Sequence, residues 1–172
     1  MIPNSASTSS SSLWIPPALR ARIECAAKRS HPKQSCGVLV GEATLDLVTV
    51  LRVVDSENLA LGRDSRVFEL DPLALFRAER KAQDLGLSVV GIWIARAAEE
   101  ARPTRTDLAL AWEGWSYLHV ATTPDRVREM RSWRLVGGEF EEEFVVGRSS
   151  TTQRPPAVVE TSGTVTSIAP FQ

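Results

Sequence analysis

Cysteine and histidine are scarce in this chain of 172 residues: there are two of each, Cys25, Cys36, His31 and His119. Two cysteines cannot build a disulfide scaffold or a zinc ribbon, and two histidines cannot supply an ordinary all-histidine metal cage. Neither charge sign is in excess, with 20 basic against 21 acidic residues and a net charge of −1. A nucleic-acid binder usually carries a basic surplus, so that class is set aside. No apolar run approaches the ~18 residues that a membrane span needs. The start of the chain pairs no basic stretch with an apolar one, so no secretory signal is expected. What remains is ordinary globular material, 43% apolar and 24% charged, close to the average for folded domains. The expectation is one cytoplasmic domain in a reducing compartment.

The two ends are polar. Residues 1–13 are rich in serine and read as a flexible tail. Residues 148–172 are rich in Ser, Thr and Pro. They read as a second flexible tail, or as one that adds a strand to a sheet edge through Val158-Val159 or Val165–Ile168. The folded unit is expected over 14–147.

Within it, Pro16-Pro17 opens a helix, because proline is tolerated in the first turn. Leu19, Ile23, Ala26 and Ala27 continue it at helical spacing to about Ser30. Cys36–Val40, Leu45–Val54 and Arg66–Leu70 read as strands. Asp71-Pro72 caps and starts a second helix carrying Leu75, Ala78, Ala82 and Leu85, which stops at Gly86. Leu87–Ile94 is nearly continuous apolar sequence, as in a central buried strand. A short helix over Thr106–Trp112 and strands over Ser116–Ala121, Val127–Leu135 and Phe140–Val146 complete the set. The last two strands form a hairpin across Val136-Gly137-Gly138. The fold class is α+β (mixed α/β): a curved, mostly antiparallel sheet flanked by two helices plus a short one. Five tryptophans are read as core packing, since the arginines around them do not cluster into a stacking platform.

Three segments carry a family resemblance. The first is His31-Pro32-Lys33-Gln34-Ser35-Cys36-Gly37-Val38-Leu39-Val40-Gly41. The second is Val90-Gly91-Ile92-Trp93 with Ala101-Arg102-Pro103-Thr104-Arg105-Thr106-Asp107. The third runs from Asp107-Leu108-Ala109 through Trp115-Ser116-Tyr117-Leu118 to Ser132-Trp133-Arg134. Together they resemble the bacterial JAMM/MPN (JAB1/MPN/Mov34) family, whose fold is cytidine-deaminase-like and often holds a zinc metallopeptidase. The family pattern P-x-E-x-C-G-L-L-x-G meets the first segment. G-x-x-H-x-H, seven residues and S-x-x-D meet the second. This frame implies that the two histidine ligand positions fall on Ile94 and Arg96, the aspartate ligand on Asp107, the serine on Thr104 and the general-base glutamate on Gln34.

Such a family site holds Zn²⁺ through two imidazoles and one aspartate and lowers the pKa of a bound water to about 7. Isoleucine has no lone pair to offer, arginine stays protonated, and glutamine takes up no proton near neutral pH. The expectation is therefore that zinc is lost and that the chain is not an enzyme. On that reading it binds a ubiquitin-like or sulfur-carrier protein, or scaffolds an active JAMM/MPN partner subunit, with a homodimer possible and neither nucleic acid nor membrane involved. One alternative is a zinc-dependent JAMM-type peptidase or isopeptidase acting on the C-terminal tail of a ubiquitin-like protein. Another is a purely structural subunit, or a protein whose old pocket is turned to a new small ligand, with an anion received by Arg96 beside Thr104 and Arg105. Glu99, Glu100, Asp107 and His119 are weighed as a rearranged metal site, and the two glutamates and His119 are read instead as solvated loop charges and a strand residue. His31 reads as a helix C-terminal residue and Cys36 as a packing residue. Arg96 is expected to turn inward and pair with Asp107 where the zinc would stand, or else to face solvent while Asp107 caps the short helix.

Overall fold

The computed structural model describes residues 11–60 and 68–147. Seven strands close into a barrel in the order β1-β3-β2-β4-β5-β6-β7. The strands are β1 (Ser12–Trp14), β2 (Ser35–Ala43), β3 (Leu47–Ser56), β4 (Ser88–Ala97), β5 (Ser116–Thr122), β6 (Val127–Val136) and β7 (Glu139–Val146). Helix α1 covers Pro17–Ser30, α2 Pro72–Gln83 and α3 Arg105–Ala109. The pairs β2/β3, β2/β4, β5/β6 and β6/β7 are antiparallel. The pair β4/β5 is parallel, and β1 runs parallel to both β3 and β7. The class is α+β with a mixed sheet, and the curvature goes all the way to closure.

Helix α1 contacts β2, β3, β4, β5 and β6, which a helix does only from the inside of a strongly curved sheet. Its Ile23 and Ala27 join Leu39, Val50, Trp93, Leu118 and Val120 in the inner core. Helix α2 lies outside, with Ala78 and Ala82 on Val38 and Val40. Asp71 caps it by accepting from the Leu73 N–H at 2.9 Å. The β6–β7 turn places Gly137 and Gly138 at φ of 60° and 83°, the left-handed pair that a tight hairpin needs. Gly37 is required for a different reason: a side chain there would overlap the Trp93 indole and the Val54 carbonyl.

Two expectations change. Ser12–Leu13 belong to strand β1, so the tail expected over residues 1–13 is structured at its end. Leu13 buries completely, and burial of its side chain overrides the serine-rich composition around it. The strand expected over Arg66–Leu70 is, among the described residues, a single bridge from Leu70 to Asn58. Leu70 precedes the Asp71 cap directly, so the chain turns into α2 before a ladder can grow. Residues 66–67 of that segment, and the tail expected over 148–172, lie outside the described residues. No described helix is long and apolar enough to cross a membrane.

Candidate functional site

Strand geometry assembles the site. Successive side chains alternate between faces, so Ile92, Ile94 and Arg96 of β4 share the outer face. Ile94 lies between Cys36 on β2 and His119 on β5. Arg96, near the end of β4, reaches past the sheet to α3.

Helix α3 has only five residues, and its start is fixed by a capping box. The Thr104 hydroxyl accepts from the Asp107 N–H at 3.2 Å, and Asp107 Oδ2 accepts from the Thr104 N–H at 2.6 Å. Each group satisfies an otherwise orphaned donor of the first turn. Asp107 is 1% exposed and also receives Arg96. Nη1 donates to Oδ2 at 2.8 Å, and Nη2 donates to Oδ1. Arg96 Nε donates to Gln34 Oε1 at 3.3 Å. The Arg96 carbonyl accepts from the Thr122 hydroxyl at 3.0 Å, and the Thr122 oxygen pairs with His31 Nδ1 at 3.0 Å. The structure thus brings Gln34, Arg96, Thr104 and Asp107 together, with Ile94 buried alongside. Asp107 caps the helix and pairs with Arg96 at once.

Burial pushes the Asp107 carboxyl up, but the hydrogen bonds and charge of Arg96 and the Thr104 N–H outweigh it and hold the carboxyl below its ordinary range. His119 is 2% exposed. Burial and the nearby Arg96 charge push its imidazole down to about 4, against a smaller upward pull from Asp107. It is therefore neutral near pH 7. Its Nε2 is buried with no hydrogen-bond partner among the described residues. Cys36 is buried, and desolvation pushes its thiol up to about 12, which suits packing rather than reaction.

Beside these groups lies a cavity of about 250 Å³, lined by Ile94, Arg96, Thr104 and His119 together with the loop after β4. That loop is strapped to β6: the Ala101 N–H donates to Glu129 at 2.7 Å, and Trp133 Nε1 donates to the Ala101 carbonyl at 3.1 Å. Glu99 and Glu100 pair with Arg128 and Arg102 at the surface. Arg105 is exposed and does not line the cavity, so the anion site expected from Arg96, Thr104 and Arg105 does not form. His119 is the site residue that sequence reading undervalued. Its alternation with Tyr117 on β5 was the available signal. The straps from Glu129 and Trp133 had none, because they join residues 28 and 32 positions apart.

The family's metal does not fit these residues. Ile94 offers no donor atom, Arg96 is a cation, and Asp107 already has both oxygens engaged by Arg96 and Thr104. Among the described residues no group of three or more His, Cys, Asp or Glu could hold a metal ion.

The chain belongs to the JAB family: residues 16–136 match the family described as prokaryotic homologs of the JAB domain. It is 34% identical over 120 residues to the CysO-cysteine peptidases of Mycobacterium tuberculosis and Mycobacterium bovis, covering 69% of this chain and 80% of theirs. A solution structure from Desulfitobacterium hafniense shares the fold with a TM-score of 0.69 at 23% identity, covering 80% of this chain and 94% of that one. Another, from Salinibacter ruber, gives 0.61 at 27% identity, covering 86% and 95%.

The mycobacterial relatives are named as peptidases. That overturns the expectation of a silent binder or scaffold, and with it the expectation that the chain is not an enzyme. Donor atoms decide whether zinc fits. They do not by themselves decide whether a site with a cavity, a buried imidazole and a cation acts on a substrate.

Proposed function

We propose that this chain is a cytoplasmic peptidase of the JAB family that acts on the C-terminal tail of a ubiquitin-like sulfur-carrier protein. The observation that carries this reading is the 34% identity over 120 residues to CysO-cysteine peptidases. The cavity at the end of β4 supports it, since it is lined by Ile94 and Arg96, the two histidine positions of the family's frame, and is small enough for a narrow tail. No step is routed through zinc, because the ligand positions do not fit it. What the chain's own residues do is more limited. Asp107 and Gln34 hold the Arg96 guanidinium at the cavity. Three of its five N–H groups are used in doing so, and two remain to donate to a carbonyl oxygen. Donors so placed can hold the carbonyl oxygen of a bound tail in position by hydrogen bonds. His119, neutral at pH 7, offers its unpartnered Nε2 to a bound tail, and its depressed basicity makes it a hydrogen-bonding group rather than a strong base.

The test is to incubate the protein with a small sulfur-carrier protein bearing a C-terminal cysteine and to follow the intact mass. Loss of the terminal residue, surviving a chelator and abolished in Arg96→Met, is the expected result. An unchanged mass after prolonged incubation at equimolar protein would overturn the reading.

A further inference from the structure

The charges around the cavity balance pair by pair. Arg96 is matched by Asp107 and, at the rim, Arg102 by Glu100 at 2.5 Å. His119 is uncharged near pH 7. The remaining wall is Ile94, Ala98, Ala101, Pro103, Thr104 and Val120, none of them ionisable. The site therefore has hydrogen-bonding capacity without surplus charge: two guanidinium N–H groups and the unpartnered Nε2 of His119. An arriving carboxylate would find Arg96 already paired with Asp107 and Arg102 with Glu100, and would meet the Glu100 carboxylate in the wall. A buried anion without a counter-charge is strongly disfavoured, whereas a backbone amide needs only a donor and an acceptor. At about 250 Å³ the space lies below the ~300–1,000 Å³ typical of larger organic ligands. It suits a stretch of backbone with minimal side chains.

We infer that this cavity is a subsite for uncharged peptide backbone, which accepts a tail that continues as an amide and rejects the same tail once it ends in a free carboxylate. The inference rests on the tail-acting reading and deepens it: the site separates substrate from product by charge. Cleavage converts the favoured ligand into a disfavoured one, and the product leaves.

The probes are acetyl-tetraglycine amide and acetyl-tetraglycine with a free carboxylate, titrated at pH 7 while the His119 imidazole and Arg96 side-chain signals are followed by NMR. The amide is expected to bind about tenfold or more tighter than the acid and to shift both signals. Asp107→Asn leaves Arg96 uncompensated, so the preference should collapse or reverse. Glu100→Gln, an exposed change with no bearing on folding, should narrow it if Asp107→Asn fails to fold. Equal or tighter binding of the acid to the unaltered protein overturns the inference, as does the absence of any shift at His119 with either peptide. Selective amide binding without carrier cleavage would refute only the peptidase reading. Cleavage with no preference for the amide would refute only this inference.

Discussion

Replacing Arg96 by methionine removes the cation while keeping most of its aliphatic stem. Asp107, 1% exposed, would keep only the Thr104 N–H at 2.6 Å as a donor. Breaking a buried pair from one side costs about 3–5 kcal/mol. A second route limits the loss, because the carboxyl can take up a proton instead. From an unfolded pKa of ~3.9, neutralisation costs about 4 kcal/mol at pH 7 and about 1.5 kcal/mol at pH 5. The variant should thus lie roughly 3–4 kcal/mol below the parent at pH 7 and under about 2 kcal/mol below it at pH 5. The sign follows from proton binding. In the parent, the Asp107 carboxyl is held low, so its contribution is present above the unfolded pKa and is lost as pH falls through the folded one. In the variant, burial dominates and raises the carboxyl. The folded form then binds more protons than the unfolded, and stability from this group grows on acidification. Urea unfolding followed by tryptophan fluorescence at both pH values measures the gap. A deficit below about 0.5 kcal/mol at pH 7, or one that is equal at the two pH values, would refute the reasoning. So would a coupling energy indistinguishable from zero in a double-mutant cycle with Asp107→Asn.

The triple variant Ile94→His, Arg96→His, Gln34→Glu places two imidazoles on one face of β4 opposite Asp107. It should take up about one zinc per chain by elemental analysis where the parent takes up none, and a folded but zinc-free variant would show the register to be wrong. His119, depressed to about 4 by burial and by Arg96, binds fewer protons folded than unfolded, so its contribution is lost as pH falls from about 6.5 to about 4. An NMR titration of its imidazole should give a midpoint below about 5, and a midpoint near 6.5 would contradict the buried neutral assignment. Gly37→Ala should lower stability by about 2–3 kcal/mol in thermal melts, because the new methyl overlaps the Trp93 indole and the backbone carbonyl of Val54. A neutral result would mean that β2 and β3 shift apart at no cost.

Local signals were legible where short-range chemistry determines structure. Pro17, Asp71 and the Gly137-Gly138 pair each impose a backbone conformation on their own neighbours, and the helices and hairpin stand where those residues put them. No residue of that kind marks β1, where three residues form a strand only because β3 and β7 are already there to receive them. The site was legible as a frame, since Ile94, Arg96 and Asp107 keep a spacing that can be counted. Its electrostatic character was not. The neutrality of His119 depends on burial by residues far along the chain. The loop after β4 is held by Glu129 and Trp133, whose partners no pattern within the loop announces.

Strand β1 has a consequence for how this protein can fail. Ser12–Trp14 are all that separate β3 from β7, and a closed sheet has no template for self-association. If a nick or a truncation between residues 11 and 15 removed that strand, two edges would open together. The outward side chains along them, Leu47 and Leu51 on β3 and Phe144 and Val146 on β7, are apolar and at least two-fifths exposed already. The damaged chain would lack Leu13 from its inner core and offer sticky, unpaired ladders on both flanks of the gap, and its fate would be assembly into aggregates.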